Sequence, residues 1–264
     1  MTSDENIDSN AHTAEQDTQT LKFGEVEYPV AAEYTKREPG MAQLAASQRK
    51  EREKKVVVPT KSISYRALKR VLDIVISAIA IVICAIPGAI LAIFIMRDTG
   101  GSPFYMQDRV GKGGKLFKII KFRTMVADAD NLAKYLSKDQ LDEWVYEHKV
   151  TDDPRITKLG RFLRKTSIDE IPNFLNAFLG QMSIVGPRAV TPEELVWYND
   201  DADLLLSVPA GITGLWQVRS RNTAQYETGE RQELELEYVR NASLGLDIKI
   251  FFQTFAAVFD TTGK

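Results

Sequence analysis

Residues 167–172 read Ser-Ile-Asp-Glu-Ile-Pro, which sets two carboxylates, Asp169 and Glu170, side by side. An aspartate with an ordinary pKa of about 3.9 is ionised at neutral pH and needs no base to become a nucleophile. To approach a diphosphate its charge must be screened, and arginines with Mg²⁺ do that. The cations are present: Arg161, Arg164 and Lys165 just before the pair, Arg188 in Gly-Pro-Arg, and Arg219 and Arg221 in Val-Arg-Ser-Arg-Asn. Arginines on Gly- and Pro-rich loops suit bidentate phosphate binding. A structural reading also fits, because Ser167 and Glu170 have the S-x-x-E spacing of a helix capping box.

Other catalytic constellations are missing. Cys84 is the one cysteine and lies in an apolar run, so no intramolecular disulfide forms, and His12 and His148 stand far apart, without zinc-site spacing. Any metal is expected to be a hard cation held by oxygen.

The elements that must position the pair are unevenly charged. Residues 1–36 carry eight acidic and two basic side chains, and residues 49–70 carry nine basic and two acidic ones. Next comes 71–96, in which 22 of 26 residues are apolar, longer than the roughly 20 that span a hydrocarbon core. Seven Lys or Arg follow in 97–123. Both flanks are therefore biased to the cytoplasm. A helix that dips in, breaks at Pro87 and returns satisfies both, and a kinked single-pass anchor is the alternative. Asp73 and Ser77 are expected at headgroup depth.

Residues 1–60 read as a disordered extension with a short helix at 40–55. Segments 104–110 and 116–125 read as two strands joined by the turn Gly-Lys-Gly-Gly, with a phosphate cradle as the weaker reading of its glycines. Apolar spacing predicts one amphipathic helix over 128–149 and two helical pieces over 157–179 that meet near the carboxylates. Residues 182–190 and 208–222 read as positioning loops, and 245–259 as a short helix for the core or the membrane interface.

Several motifs in order carry a resemblance: KRVLDIVIS, SPFYMQDRVGKGGKLFKIIKFRTM, DDPRITKLGRFLRKTSIDEIP, MSIVGPR, GITGLWQV and LDIKI. Together, over about residues 64–262, they resemble the bacterial sugar transferase family, the monotopic phosphoglycosyl transferases. The resemblance implies an α+β, mainly helical fold in three parts: the extension 1–60, a re-entrant membrane helix 61–98 broken at Pro87, and a cytosolic catalytic domain 99–264 with interfacial helices and a β-hairpin. It implies transfer of a hexose-1-phosphate from a UDP-sugar to undecaprenyl phosphate with release of UMP. Asp169 would be the nucleophile and Glu170 its assistant, both holding Mg²⁺, with Arg164, Arg188 and Arg221 binding phosphate. Three positions depart from the family pattern: Ile86 stands where a serine usually precedes the proline, Ala189 makes GPRA of GPRP, and Ser220 replaces a glycine.

The wording of the motifs is closest to members that begin exopolysaccharide or O-antigen units, pointing to galactose or glucose. With no large membrane domain ahead of the catalytic part, a small member is expected, at the cytoplasmic face of a bacterial inner membrane. Expected partners are the donor, the polyprenyl phosphate acceptor, the membrane, downstream glycosyltransferases and a second copy in a homodimer, with no nucleic acid. A catalytically inactive membrane scaffold and a lipid-linked phosphatase are the competing readings.

Overall fold

The computed structural model describes residues 20–23, 26–29, 61–147, 150–192, 194–220 and 229–262. Two units separate between Lys55 and Val56. In the first, β1 (Thr20–Phe23) and β2 (Val26–Pro29) pair antiparallel, so the extension holds a hairpin where its composition predicts none. The helix expected at 40–55 lies outside the described residues.

The second unit is mainly helical with two small sheets, and it begins with the long apolar helix α1 (Ile63–Thr99). Ser62 caps its start by accepting from the Tyr65 N–H, and Gly100 ends it in the left-handed conformation. Helical backbone continues through Pro87, so the break expected there is not a loss of helix. Its apolar faces are open, with Val82 75%, Ile83 67% and Ile86 74% exposed.

Both ends of α1 pack on the same domain. Near its start, Lys69 donates to the Val185 carbonyl and to Asp247, and Asp73 accepts from Ser183 Oγ and the Ile184 N–H, each at 2.8–2.9 Å. Near its end, Ile95 is fully buried with Phe122 and Leu163. Asp73 and Ser77 are thus buried against protein, where the carboxylate is satisfied by β-strand donors.

The hairpin is as the sequence predicts. Strands β3 (Phe104–Val110) and β4 (Leu116–Phe122) pair antiparallel with Val110 opposite Leu116, and Gly113 and Gly114 take the positive φ of the turn. The single helix expected over 128–149 is instead two, α2 (Leu132–Tyr135) and α3 (Lys138–Glu147). The interruption lets Leu132 and Leu136 bury with Val150 against Leu141 and Trp144.

Next come α4 (Lys158–Thr166) and α5 (Asn173–Leu179), with a 3-10 turn, Ile168–Glu170, between them. The two loop segments hold regular structure as well: β5 (Ser183–Val185) and β6 (Gly211–Thr213) pair in parallel, α6 (Ala202–Leu205) lies between them and α7 (Leu215–Ser220) follows. Three-residue strands are too short to show a period in sequence. The last helices, α8 (Glu230–Asn241) and α9 (Leu244–Thr262), supply Leu236, Val239 and Ile250 to the main core around Ile184 and Val185. On α9, Ile250 and Phe251 face that core, as one of its two expected surroundings has it, while Ile248 and Phe252 stay exposed.

Candidate active site

Ser167 decides how the carboxylates are presented. Its φ of 58° is left-handed and closes α4, its N–H bonding back to the Arg164 carbonyl. An N-cap needs an extended backbone, and the Ser167 side chain makes no capping hydrogen bond, so the capping-box reading of this stretch is set aside. Ile168 and Ile171 then pack with Ile95, Phe122 and Leu163, leaving Asp169 and Glu170 to face β4. There Lys121 Nζ meets Glu170 Oε1 at 2.7 Å.

Arg164 reaches the pair from α4. A Cβ at Gly160 would fall on the Thr124 carbonyl, so glycine is what lets α4 lie against that backbone and bring Arg164 Nε to Thr124 Oγ1 at 2.8 Å. Burial lowers the Arg164 guanidinium from its usual value and the Asp169 charge opposes this. Asp169 is pushed up to about 6, first by burial and then by Glu170, against the pull of Lys121 and Arg164. It is therefore not the ordinary aspartate the sequence implies. It remains mostly ionised at neutral pH, and as a stronger base it is a better nucleophile.

Beside the pair opens a cleft of about 120 Å³, lined by Glu170 with the cations Arg109, Lys121 and Arg188, and by the neutral side chains of Asn173, Trp216 and Gln217. One carboxylate organises two of the cations: Glu194 accepts from Arg109 at 2.9 Å and from Arg188 at 3.2 Å. Glu194 is itself fixed by Thr191 in a reciprocal pair of backbone bonds, Thr191 N–H to Glu194 Oε2 and Glu194 N–H to Thr191 Oγ1. The Arg188 N–H donates to Glu235 at 2.7 Å, and burial pushes that carboxyl up to about 7 although Arg188 and Arg231 oppose it.

Away from the cations, the Trp216 ring that lines the cleft is stacked by the Arg231 guanidinium, 3.9 Å from its centre. Asn173 Oδ1 and Trp216 Nε1 are buried and have no hydrogen-bond partner among the described residues. The two walls are joined at the backbone: a Cβ at Gly186, Gly211 or Gly214 would meet main-chain atoms of the facing segment at under 3 Å.

The structure therefore brings Asp169, Glu170 and Arg164 together and sets Arg188 on the cleft that Glu170 lines, while Arg221 lies outside the described residues. Sequence reasoning missed Lys121, Arg109 and Glu194. Period-two alternation puts Lys121 on the face of β4 that buries Phe117 and Ile119, an anomaly that marks it. Thr191-Pro192-Glu193-Glu194 is a T-x-x-E with proline at the first helical position, a stronger capping signal than the one at Ser167.

The chain matches a model of the bacterial sugar transferase family over residues 64–261. It is 42% identical over 203 residues to a UDP-galactose-lipid carrier transferase of Erwinia amylovora, covering 76% of this chain and 42% of that protein. It is 44% identical over 203 residues to the undecaprenyl-phosphate galactose phosphotransferase of Salmonella typhimurium, covering 76% and 42%. With the exopolysaccharide production protein ExoY of Sinorhizobium fredii the identity is 40% over 200 residues, covering 74% and 87%. The match thus spans less than half the length of the first two relatives and most of the third. A family model that matches residues 64–261, most of the second unit, with these relatives, makes this chain a member of the bacterial sugar transferase family.

Proposed function

We propose that the protein moves a hexose-1-phosphate, of galactose or glucose, from a UDP-sugar to undecaprenyl phosphate in two steps. The observation that carries this is the half-buried Asp169, held at a pKa of about 6 between Arg164 and Lys121 at the edge of a cation-lined cleft. A carboxylate oxygen of Asp169 attacks the sugar-proximal phosphorus. The bond from that phosphorus to the bridging oxygen breaks, and UMP leaves with the electron pair. An oxygen of the polyprenyl phosphate then attacks the same phosphorus and the Asp169 carboxylate departs. Arg188 and Arg109, both fixed by Glu194, bind the diphosphate oxygens, and Lys121 holds Glu170 in place beside the nucleophile.

Asp169 and Glu170 also fit Mg²⁺. Among the described residues no three His, Cys, Asp or Glu side chains gather, and this cation is usually held by one or two carboxylates with substrate phosphates and water. The repulsion from Glu170 that raises Asp169 is what a cation between them would relieve. Bound there, it would supply charge neutralisation for the diphosphate.

The re-entrant topology draws support from the packing of α1. Between Ser77 and Gly88 its side chains find no core, and about ten residues of helix reach roughly 15 Å, half a hydrocarbon core. Ends tied to one domain cannot lie on opposite faces, so a helix bent near Pro87 would dip into the cytoplasmic leaflet and return.

The test uses the protein in nanodiscs with Mg²⁺ and radiolabelled UDP-glucose or UDP-galactose, without acceptor. Covalent label is expected in the wild type, absent in Asp169→Asn, and discharged on adding undecaprenyl phosphate. Transfer surviving Asp169→Asn would sink the covalent route, and free sugar phosphate as the main product would favour the phosphatase.

A further inference from the structure

From the neutral wall of the cleft we infer that Asn173, assisted by the indole N–H of Trp216, grips hydroxyl groups of the donor's sugar ring and keeps its hold on the sugar through both half-reactions. The inference rests on the proposed reaction and names the part of the substrate that this wall reads.

Asn173 is 2% exposed, lines the cleft, and its Oδ1 has no hydrogen-bond partner among the described residues. A buried amide oxygen left unpaired is costly, so the chemistry that belongs there is a donor brought by a ligand. Phosphate, the ligand of the cationic wall, offers only acceptors. Trp216 Nε1, buried and unpaired as well, needs the opposite, an acceptor. A hydroxyl gives and accepts at once, and neighbouring hydroxyls on a ring satisfy both groups. Amide and aromatic side chains side by side are suited to such a ring.

Position separates the sugar from the uracil, whose edge could also donate and accept. The chain from Ile168 through Ile171 and Pro172 into α5 keeps right-handed helical backbone, so Asp169 and Asn173 stand four residues apart on one run. The backbone bonds of this run reach three residues back, as in a 3-10 turn, so residues three apart share a face: Glu170 and Asn173 line the cleft together, directly beside Asp169. The phosphorus attacked by Asp169 carries the sugar directly, whereas the uridine lies one phosphate further away. What reaches Asn173 is therefore the sugar. Because UMP leaves after the first step while the phosphosugar stays on Asp169, a group that reads the sugar acts twice, and one that reads the base acts once.

The experiment compares wild type, Asn173→Ala and Asn173→Gln in nanodiscs with Mg²⁺, using UDP-hexose and its series of ring-deoxy analogues, and reads kcat/KM for label formation. The rate at which preformed labelled intermediate passes to undecaprenyl phosphate is measured separately. One deoxy donor should lose about tenfold to a hundredfold in the wild type and no more than that in Asn173→Ala. The alanine variant should also slow discharge of the intermediate, with inhibition by UMP unchanged, which shows the site intact. Equal loss by Asn173→Ala on every donor overturns the inference, as does a change confined to the first step together with weaker UMP inhibition, which would assign the wall to the base. Label that survives Asp169→Asn would instead remove the covalent reaction, and the inference with it.

Discussion

Replacing Asp169 by asparagine should abolish transfer and make the protein more stable, and the second effect is the sharper test of the site's electrostatics. Asp169 sits at about 6 against the 3.8 of a solvated aspartate. The folded state therefore binds its proton more tightly than the unfolded chain does. Stability is unaffected by this group below pH 3.8, falls as pH rises through the interval, and is fully reduced above pH 6. The gap is worth up to about 3 kcal/mol. Asparagine stays neutral, so it escapes the loss while keeping the shape. In non-ionic detergent at pH 8 the variant should melt about 6 °C or more above the wild type, and the gap should narrow to about a third by pH 4.5 and close below pH 3.8. A difference that does not change with pH, or a variant less stable at pH 8, would show that Lys121 and Arg164 outweigh burial and Glu170, and the account of a strained nucleophile would fail.

Three further outcomes are expected. Formation of the labelled intermediate should fall about tenfold between pH 7.5 and pH 5 as Asp169 takes up its proton, and a flat profile there would contradict a pKa near 6. Asp247 accepts from Lys69, Tyr65 and Tyr238 at 2.7–2.8 Å, so Asp247→Ala should strand a buried lysine and cost about 3–5 kcal/mol; thermal melts of purified protein check this, with a smaller loss in Asp247→Asn. Cysteines placed at Ser64 and Ser102, in a Cys84→Ser background, should react with a membrane-impermeant maleimide from the same side of inverted vesicles, and opposite sidedness would defeat the re-entrant topology.

The legible parts of the sequence were those with a period or a charge bias. The β3–β4 hairpin announces itself by alternation around Gly-Lys-Gly-Gly, and α1 by length and apolarity alone. The carboxylate pair was legible as chemistry but not as geometry. Of the two S/T-x-x-E spacings near the site, at Ser167 and Thr191, only the one at Thr191 forms a box, because Ser167 is drawn into closing α4 by the packing of Ile168 and Ile171. The raised pKa of Asp169 comes first from tertiary burial, and a lysine 48 positions earlier opposes it; no local pattern carries either. β5 and β6 are invisible for a different reason: their pairing is parallel and separated by 25 residues, so neither strand has a local signature.

The glycines that join the two walls of the cleft have a mechanical consequence. Gly186 lies two residues before Arg188, and Gly211 and Gly214 lead into Trp216 and Gln217, with backbone against backbone and no side chain between them to give way. Close-packed main chain transmits displacement instead of absorbing it. Arg188, proposed to meet phosphate, and the Trp216 ring, proposed to meet its neutral neighbour, therefore keep a constant separation, as the jaws of a fixed gauge do. Donors are sorted by whether they match that span, and a bulkier residue at any of the three glycines would reset the gauge at both jaws together.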